Sequence, residues 1–195
     1  MTIRHSEARP CCIIGIDPSM NSTGICINKN GKYTYKLLAT KPTKKFRAAL
    51  ENTQGIDLYI VEKEPTIEGQ DTTTKNINHI LTYIKTILSA YKPDYVMIEA
   101  PAFSASGRTS DLSGLNYAIR LECLNRDIPC HPIFPTSVKK GAIGNGRATK
   151  DMIVQTWLKL FPQYSHLQAH KIDDLADAYF ICEYDGYYIK KKITL

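Results

Sequence analysis

Apolar residues run without a break through CCIIGID at 11–17, and the run closes on an acid. That pattern predicts a buried central strand. STGICIN at 22–28 and YTYKLLAT at 33–40 alternate, and Lys29-Asn30-Gly31-Lys32 separates them. Asn-Gly is the strongest short hairpin signal, so three antiparallel strands open the chain. From Thr74, the residues Ile77, Ile80, Leu81, Ile84, Ile87, Leu88 and Tyr91 recur at helical spacing, and Lys92-Pro93-Asp94 ends the helix. YVMIE at 95–99 is a second buried strand that closes on a carboxylate. Helices are expected near 111–126, 149–160 and 170–184, with a short strand, HPIF, at 131–134. VKKGAIGNGRATK at 138–150 reads as a Gly- and Lys-rich loop. The segment 41–71 reads as an exposed excursion, inside which IDLYIV at 56–61 has the pattern of a strand.

The order βββ-α-β-α-β-α-α predicts an α/β fold and excludes a helical bundle. At 195 residues the chain has the length of one domain, with the excursion and a basic tail, Lys190-Lys191-Lys192, attached. No apolar run is long enough for a transmembrane helix, and no signal peptide is visible at the N-terminus. The six cysteines form no C-x-x-C pair and sit mostly among apolar neighbours, which suits reduced core thiols and a cytoplasmic protein. Net charge is +6, and the first fifty residues hold nine basic and two acidic side chains. Such a surface permits a polyanionic partner without specifying one.

Two predicted core strands end in acids, Asp17 and Glu99, and strand ends in α/β sheets are where ligands bind. The last predicted helix adds Asp173, Asp174 and Asp177 among Leu175, Ala176, Ala178 and Tyr179. Positions 174 and 177, and 173 and 177, share a helix face. His170 lies on roughly the same face, one turn before Asp174. Acids on an apolar helix need a compensating partner, and Lys171 is the one local cation. Mg²⁺ is a hard ion that takes carboxylate oxygens and water. Four convergent carboxylates can hold two such ions ~3.5–4 Å apart and so clamp a phosphodiester. Each acid also has an ordinary reading: Asp17 as a turn cap, Glu99 paired with an Arg, and the Asp cluster as a helix N-terminal turn favoured by the dipole.

Four segments resemble motifs of the RuvC-type Holliday-junction resolvases, nucleases of RNase H-like fold. They are GIDPSMNSTGICI at 15–27, KPDYVMIEAPAF at 92–103, VKKGAIGNGRATK at 138–150 and HKIDDLADAYFIC at 170–182. They stand in the family's order and cover most of the chain. The family's usual Gly after Asp-Pro is Ser19 here.

The resemblance implies a central mixed five-stranded sheet, three antiparallel strands followed by two parallel ones, flanked by helices. It implies a four-acid site of Asp17, Glu99, Asp174 and Asp177, with Asp173 and His170 as outer groups around the metal. Lys139 and Lys150 match its two basic positions, where they would hold the scissile phosphate. Phe103, four residues after Glu99, would stack on an unpaired base. Arg108, Arg120, Lys140, Arg147 and the lysines of the N-terminal part would contact the DNA backbone.

The implied activity is a Mg²⁺-dependent endonuclease with two ions per site, Mn²⁺ substituting, that makes paired nicks in branched DNA. Its products carry 5′-phosphate and 3′-hydroxyl ends. A homodimer is expected, because a four-way junction has two-fold symmetry, and the predicted helix at 111–126 offers Leu112, Leu115, Ile119 and Leu124 as a dimer face or as core. The expected setting is the cytoplasm of a bacterium or of a phage- or virus-infected host, with no membrane partner. Three other readings compete: a non-catalytic junction-binding protein of the same fold, a same-fold nuclease for forks or RNA/DNA hybrids, and a sugar-kinase-like ATPase. The chain lacks the second phosphate loop that the last requires.

Overall fold

The computed structural model of the chain describes residues 11–65, 67–69, 71–101 and 108–184. Strand β1 (Cys12–Asp17) is central. Strands β2 (Ser22–Lys29) and β3 (Lys32–Ala39) follow it as an antiparallel meander. Asn30 and Gly31 form the tight turn between β2 and β3, with φ of 55° and 81°. Two positive φ values in a row are what a hairpin turn of this length demands. On the other side of β1 lie β5 (Tyr95–Glu99) and β6 (Cys130–Ile133), both parallel to it.

The sheet has six strands, not five. IDLYI of the supposed excursion forms β4 (Ile56–Ile60), an edge strand parallel to β3, and the order is β4-β3-β2-β1-β5-β6. Helix α1 (Lys44–Glu51) makes the crossover. It is legible only in three dimensions, because it buries just Leu50 and presents Lys44, Lys45, Arg47 and Glu51 outward. A second expectation also fails. The front of the supposed 138–150 loop belongs to α4 (Pro135–Ile143), with Pro135 in its first turn and Gly144 ending it at φ 75°. Proline at the first turn and glycine past the last are the ordinary marks of a helix, but Gly141 in the middle masks them in the sequence.

Strand pleating divides the core in two. Ile14 and Ile16 of β1, Ile25 and Ile27 of β2, and Val96 and Ile98 of β5 face α2 (Thr72–Tyr91) and α3 (Arg108–Leu124). The alternate positions face α4, α5 (Lys150–Leu160), a 3₁₀ turn at Pro162–Leu167 and α6 (Asp173–Cys182). There Trp157 stacks with Tyr164, and its indole N–H donates to the Tyr35 hydroxyl at 3.1 Å. No helix among the described residues is long and apolar enough to cross a membrane.

Helix α6 lies directly on the sheet, and two glycines make room for it. A Cβ on Gly15 would sit 2.4 Å from the Ala178 carbonyl oxygen, and one on Gly24 would sit 1.9 Å from that of Asp174. Neither neighbour is a flexible side chain, so any larger residue pushes the helix off. We expect Gly24→Ala to destabilise the fold by about 3 kcal/mol or more. Gly31→Ala, facing open space, should cost only the left-handed strain of about 1–2 kcal/mol. Urea denaturation midpoints decide this; equal losses would show that the helix is not clamped against Gly24.

Candidate active site

Pleating also selects which acids meet. In β1, Ile14 and Ile16 point to α2 and α3, so Asp17 points to the α6 face. In β5, Val96 and Ile98 do the same, so Glu99 shares that face with Asp17. Ile16 pairs with Ile98 across the parallel ladder, which sets the two acids side by side at the carboxyl ends of neighbouring strands. Helix α6, held down over Gly24, brings in Asp174 and, one turn on, Asp177. The turn after Asp17 is tied by Thr23, which accepts from the Ser19 amide at 3.0 Å and donates to the Ser19 carbonyl at 2.7 Å. Ser19 is not among the residues with positive φ, so this turn does not need a glycine there.

The gathered acids act on one another electrostatically. Burial pushes the Asp17 carboxyl well above its ordinary range, and Glu99, Asp177 and Asp174 add to the push, against the opposing charge of Lys150. Burial, then Asp177, raises Glu99 to about 7, with Lys150, Lys139 and a hydrogen bond from Asp17 working the other way. Asp177 is raised to about 6, by burial first, with Asp173 and Asp174 adding and Lys150 and Lys139 opposing. Asp174 is raised by burial, while a hydrogen bond from the Ser22 hydroxyl works against the rise. Like charges that cannot all ionise are the common cause after desolvation.

Asp173 and Asp174, ambiguous in sequence, have different partners. Both are buried, at 6% and 7% exposure. The Asp173 carboxylate pairs with the Lys150 ammonium, whereas Asp174 keeps one oxygen, Oδ2, buried with no hydrogen-bond partner. Asp174, not Asp173, is also the one whose charge acts on Asp17. Lys150 opens α5 beside Thr149, whose hydroxyl caps the helix. Burial lowers its pKa, but the bond to Asp173 and the nearby acids outweigh that and hold it above its usual value.

Of the other expected residues, Lys139 on α4 lies close enough to act on Glu99 and Asp177. Lys140 lines a cavity together with Tyr179 and Tyr184. Arg147 is exposed in the turn before α5. His170 stacks on Phe46 at 5.3 Å. Arg120 stacks over Tyr117 at 5.0 Å on α3 and borders the Cys130 end of β6, whereas Glu99 lies level with Ile133 at the other end. Phe103, the Arg108 side chain and the 190–192 lysines lie outside the described residues.

Two contributors escape a reading of the sequence. The Ser22 hydroxyl acts on the Asp174 carboxyl. Asn116 is fully buried in α3, and its Nδ2 donates to the Glu99 carbonyl at 2.7 Å. The one signal for Asn116 is a polar residue inside the buried face made by Leu115 and Ile119.

Among the described residues, no three His, Cys, Asp or Glu side chains close into a ready chelate. The acids form an open all-oxygen set with one orphaned oxygen and raised pKa values. That donor chemistry fits hard divalent cations, which would supply the missing counter-charge.

Comparisons with known proteins bear on the family and the fold. The family model "Crossover junction endodeoxyribonuclease RuvC" matches residues 48–182. The chain is 28% identical over 167 residues to the protein of that name from Caldicellulosiruptor saccharolyticus, covering 85% of this chain and 86% of the relative. It is 30% identical over 144 residues to that of Ehrlichia ruminantium strain Gardel, covering 72% and 77%. The structure of T. thermophilus RuvC in complex with a Holliday junction substrate superimposes with a TM-score of 0.63 at 17% identity, over 93% of this chain and 96% of the other. That likeness establishes the mixed α/β fold.

The raised pKa values make a thermodynamic prediction. A carboxyl whose pKa is higher folded than unfolded binds its proton more tightly when folded. The resulting stability is complete below about pH 4 and is lost as pH rises through 6 and 7, where Asp177 and Glu99 must ionise. The metal-free protein should therefore melt lower at pH 8 than at pH 5. Asp17→Asn should raise the pH 8 midpoint by about 3–6 °C, from ~1–2 kcal/mol of relieved repulsion. Added Mg²⁺ should raise the midpoint of the parent protein and much less that of the variant. Calorimetry checks all three; a midpoint indifferent to Asp17→Asn would mean the acids do not repel.

Proposed function

The chain belongs to the RuvC family of crossover junction endodeoxyribonucleases, and on that footing we propose that it resolves four-way DNA junctions by paired nicks that depend on Mg²⁺. The observation that carries this reading is the gathering of Asp17, Glu99, Asp174 and Asp177 on one face at the strand ends, each with a raised pKa. Asp17, Glu99, Asp174 and Asp177 would hold the ions. Bound there, the ions would supply an activated water and counter-charge for the leaving 3′ oxygen.

The chain's own residues supply the rest. Lys150 holds the scissile phosphate, positioned by its bond to buried Asp173. Lys139 adds positive charge from the α4 side. Asn116 fixes the end of β5 and so the aim of Glu99. The acids must shed their protons before cations can take those places, so nicking should rise with pH between about 6 and 7. The products carry 5′-phosphate and 3′-hydroxyl ends.

Two opposed nicks in a two-fold symmetric substrate call for two equivalent sites, and hence a homodimer. Leu115 and Ile119 of the expected dimer face are core residues. The outer side of α3 supports the dimer instead: Tyr117, Leu121 and Leu124 are 61%, 57% and 70% exposed, at helical spacing. Patches of this kind mark association surfaces.

Incubation with Mg²⁺ and synthetic four-way junctions, forks, duplexes and hybrids, followed by mapping of the nicks, tests the activity. Amide substitution of Asp17, Glu99, Asp174 or Asp177 should lower nicking by several orders of magnitude while junction binding persists. Asp173→Asn should matter less than Asp174→Asn, and Lys150→Ala should lower turnover more than affinity. Near-normal nicking by Asp17→Asn would refute the mechanism. For the dimer, Leu121→Glu with Leu124→Glu should give a monomer by light scattering and uncouple the paired nicks. A monomeric parent protein that still makes paired nicks would refute the dimer.

A further inference from the structure

Beside the acids lies a second concavity, about 600 Å³, between the β2 start, the β3–α1 connection and the chain that follows β4. Its rim carries Lys41, Lys63 and Lys171, and its walls include Asn21, Ser22 and Phe46. It adjoins the active site. Ser22, which lines it, stands two residues before Gly24, against which the Asp174 carbonyl packs, and Lys171 is near enough for its charge to act on the Asp174 carboxyl.

The three lysines are exposed and make no ion pair among the described residues. The Lys63 ammonium donates to Asn21 Oδ1 at 3.1 Å, which holds it across the groove. Lys44 and Lys45 follow in the first turn of α1, which contains no acid. Glu64 is the acid in the groove, and it stands 4.0 Å from His79 Nε2. Uncompensated like charges crowded at the start of a short helix work against stability, and such local conflict points to a use. Phe46, stacked on His170, supplies an apolar wall behind the lysines.

We propose that this groove binds the sugar-phosphate backbone of the DNA arm running on from the cleaved phosphate, with Lys41, Lys63 and Lys171 each meeting a phosphate. The inference rests on the nuclease reading and extends its substrate contact to the segment that α1 and β4 bring against the sheet. The groove holds hydroxyls, amides and ammonium groups, so it recognises backbone and not base sequence.

The test uses the full-length Asp17→Asn protein without divalent cations, titrated by anisotropy against a labelled four-way junction from about 50 to 200 mM salt. Each phosphate contact contributes about 0.9 to the slope of log affinity against log salt. Adding Lys41→Ala and Lys63→Ala should make the slope shallower by about 2 and weaken binding roughly tenfold at ~0.1 M salt. Lys75→Ala with Lys159→Ala, exposed lysines outside the groove, should leave the slope unchanged. Identical slopes for the two double variants would overturn the groove. Because the measurement needs neither metal nor cleavage, it is separate from the nuclease reading, which fails if the parent protein nicks no branched DNA.

Discussion

Helix α6 meets the sheet at backbone distance, and the rest of the molecule depends on that contact. Gly15 and Gly24 lack side chains where the Ala178 and Asp174 carbonyls press down. With a Cβ at either position the helix would ride higher, and Asp174 and Asp177 would leave the ends of β1 and β5. The fold on the α6 side is arranged around this closeness. Helices α4 and α5 pack beside α6, and Trp157, Tyr35, Phe161 and Tyr164 fill the space where the sheet is not covered directly.

Close packing of the helix has an electrostatic cost. It removes Asp173 and Asp174 from water and presses Asp177, Asp17 and Glu99 together at the sheet's end. The chain offsets part of this internally. Lys150 neutralises Asp173, the nearby Ser22 hydroxyl opposes the rise at Asp174, and the N-terminal turn of α6 suits Asp173 and Asp174. What remains is an unpartnered Asp174 oxygen and a cluster in which every carboxyl is raised above its ordinary range. A site tuned for stability would not be built this way; one that takes up cationic charge would.

The opposite face of the sheet does different work. Helices α2 and α3 bury Ile80, Ile84, Leu88, Leu115 and Ile119 against β1, β2 and β5. From within this layer Asn116 reaches the end of β5. One helix thus packs the core, steadies Glu99 through a single hydrogen bond and still leaves an apolar outer stripe. The stripe and the steadying residue lie at different angles on the helix, so neither can be read from the other.

Much was legible in the sequence because it depends on local periodicity. The β2–β3 hairpin follows from Asn30-Gly31, and α2 from its seven apolar positions. The placement of Asp17 and Glu99 follows from apolar runs that end in acids. Motif resemblance reached the same four acids. Elements that draw their stability from neighbours were not legible. Helix α1 buries one residue and α4 hides behind Gly141, while β4 showed its strand pattern but not its place at the edge of the main sheet. The choice of Asp174 over Asp173 rested on motif register alone, and their different partners were not legible. They are adjacent on one helix, and only the distance to Lys150 and the depth over Gly24 separate an acid that holds a lysine from one that faces Asp17. Sequence determines which faces are apolar and where charges fall along each element. Tertiary structure decides which charges meet, because that depends on how closely two backbones approach.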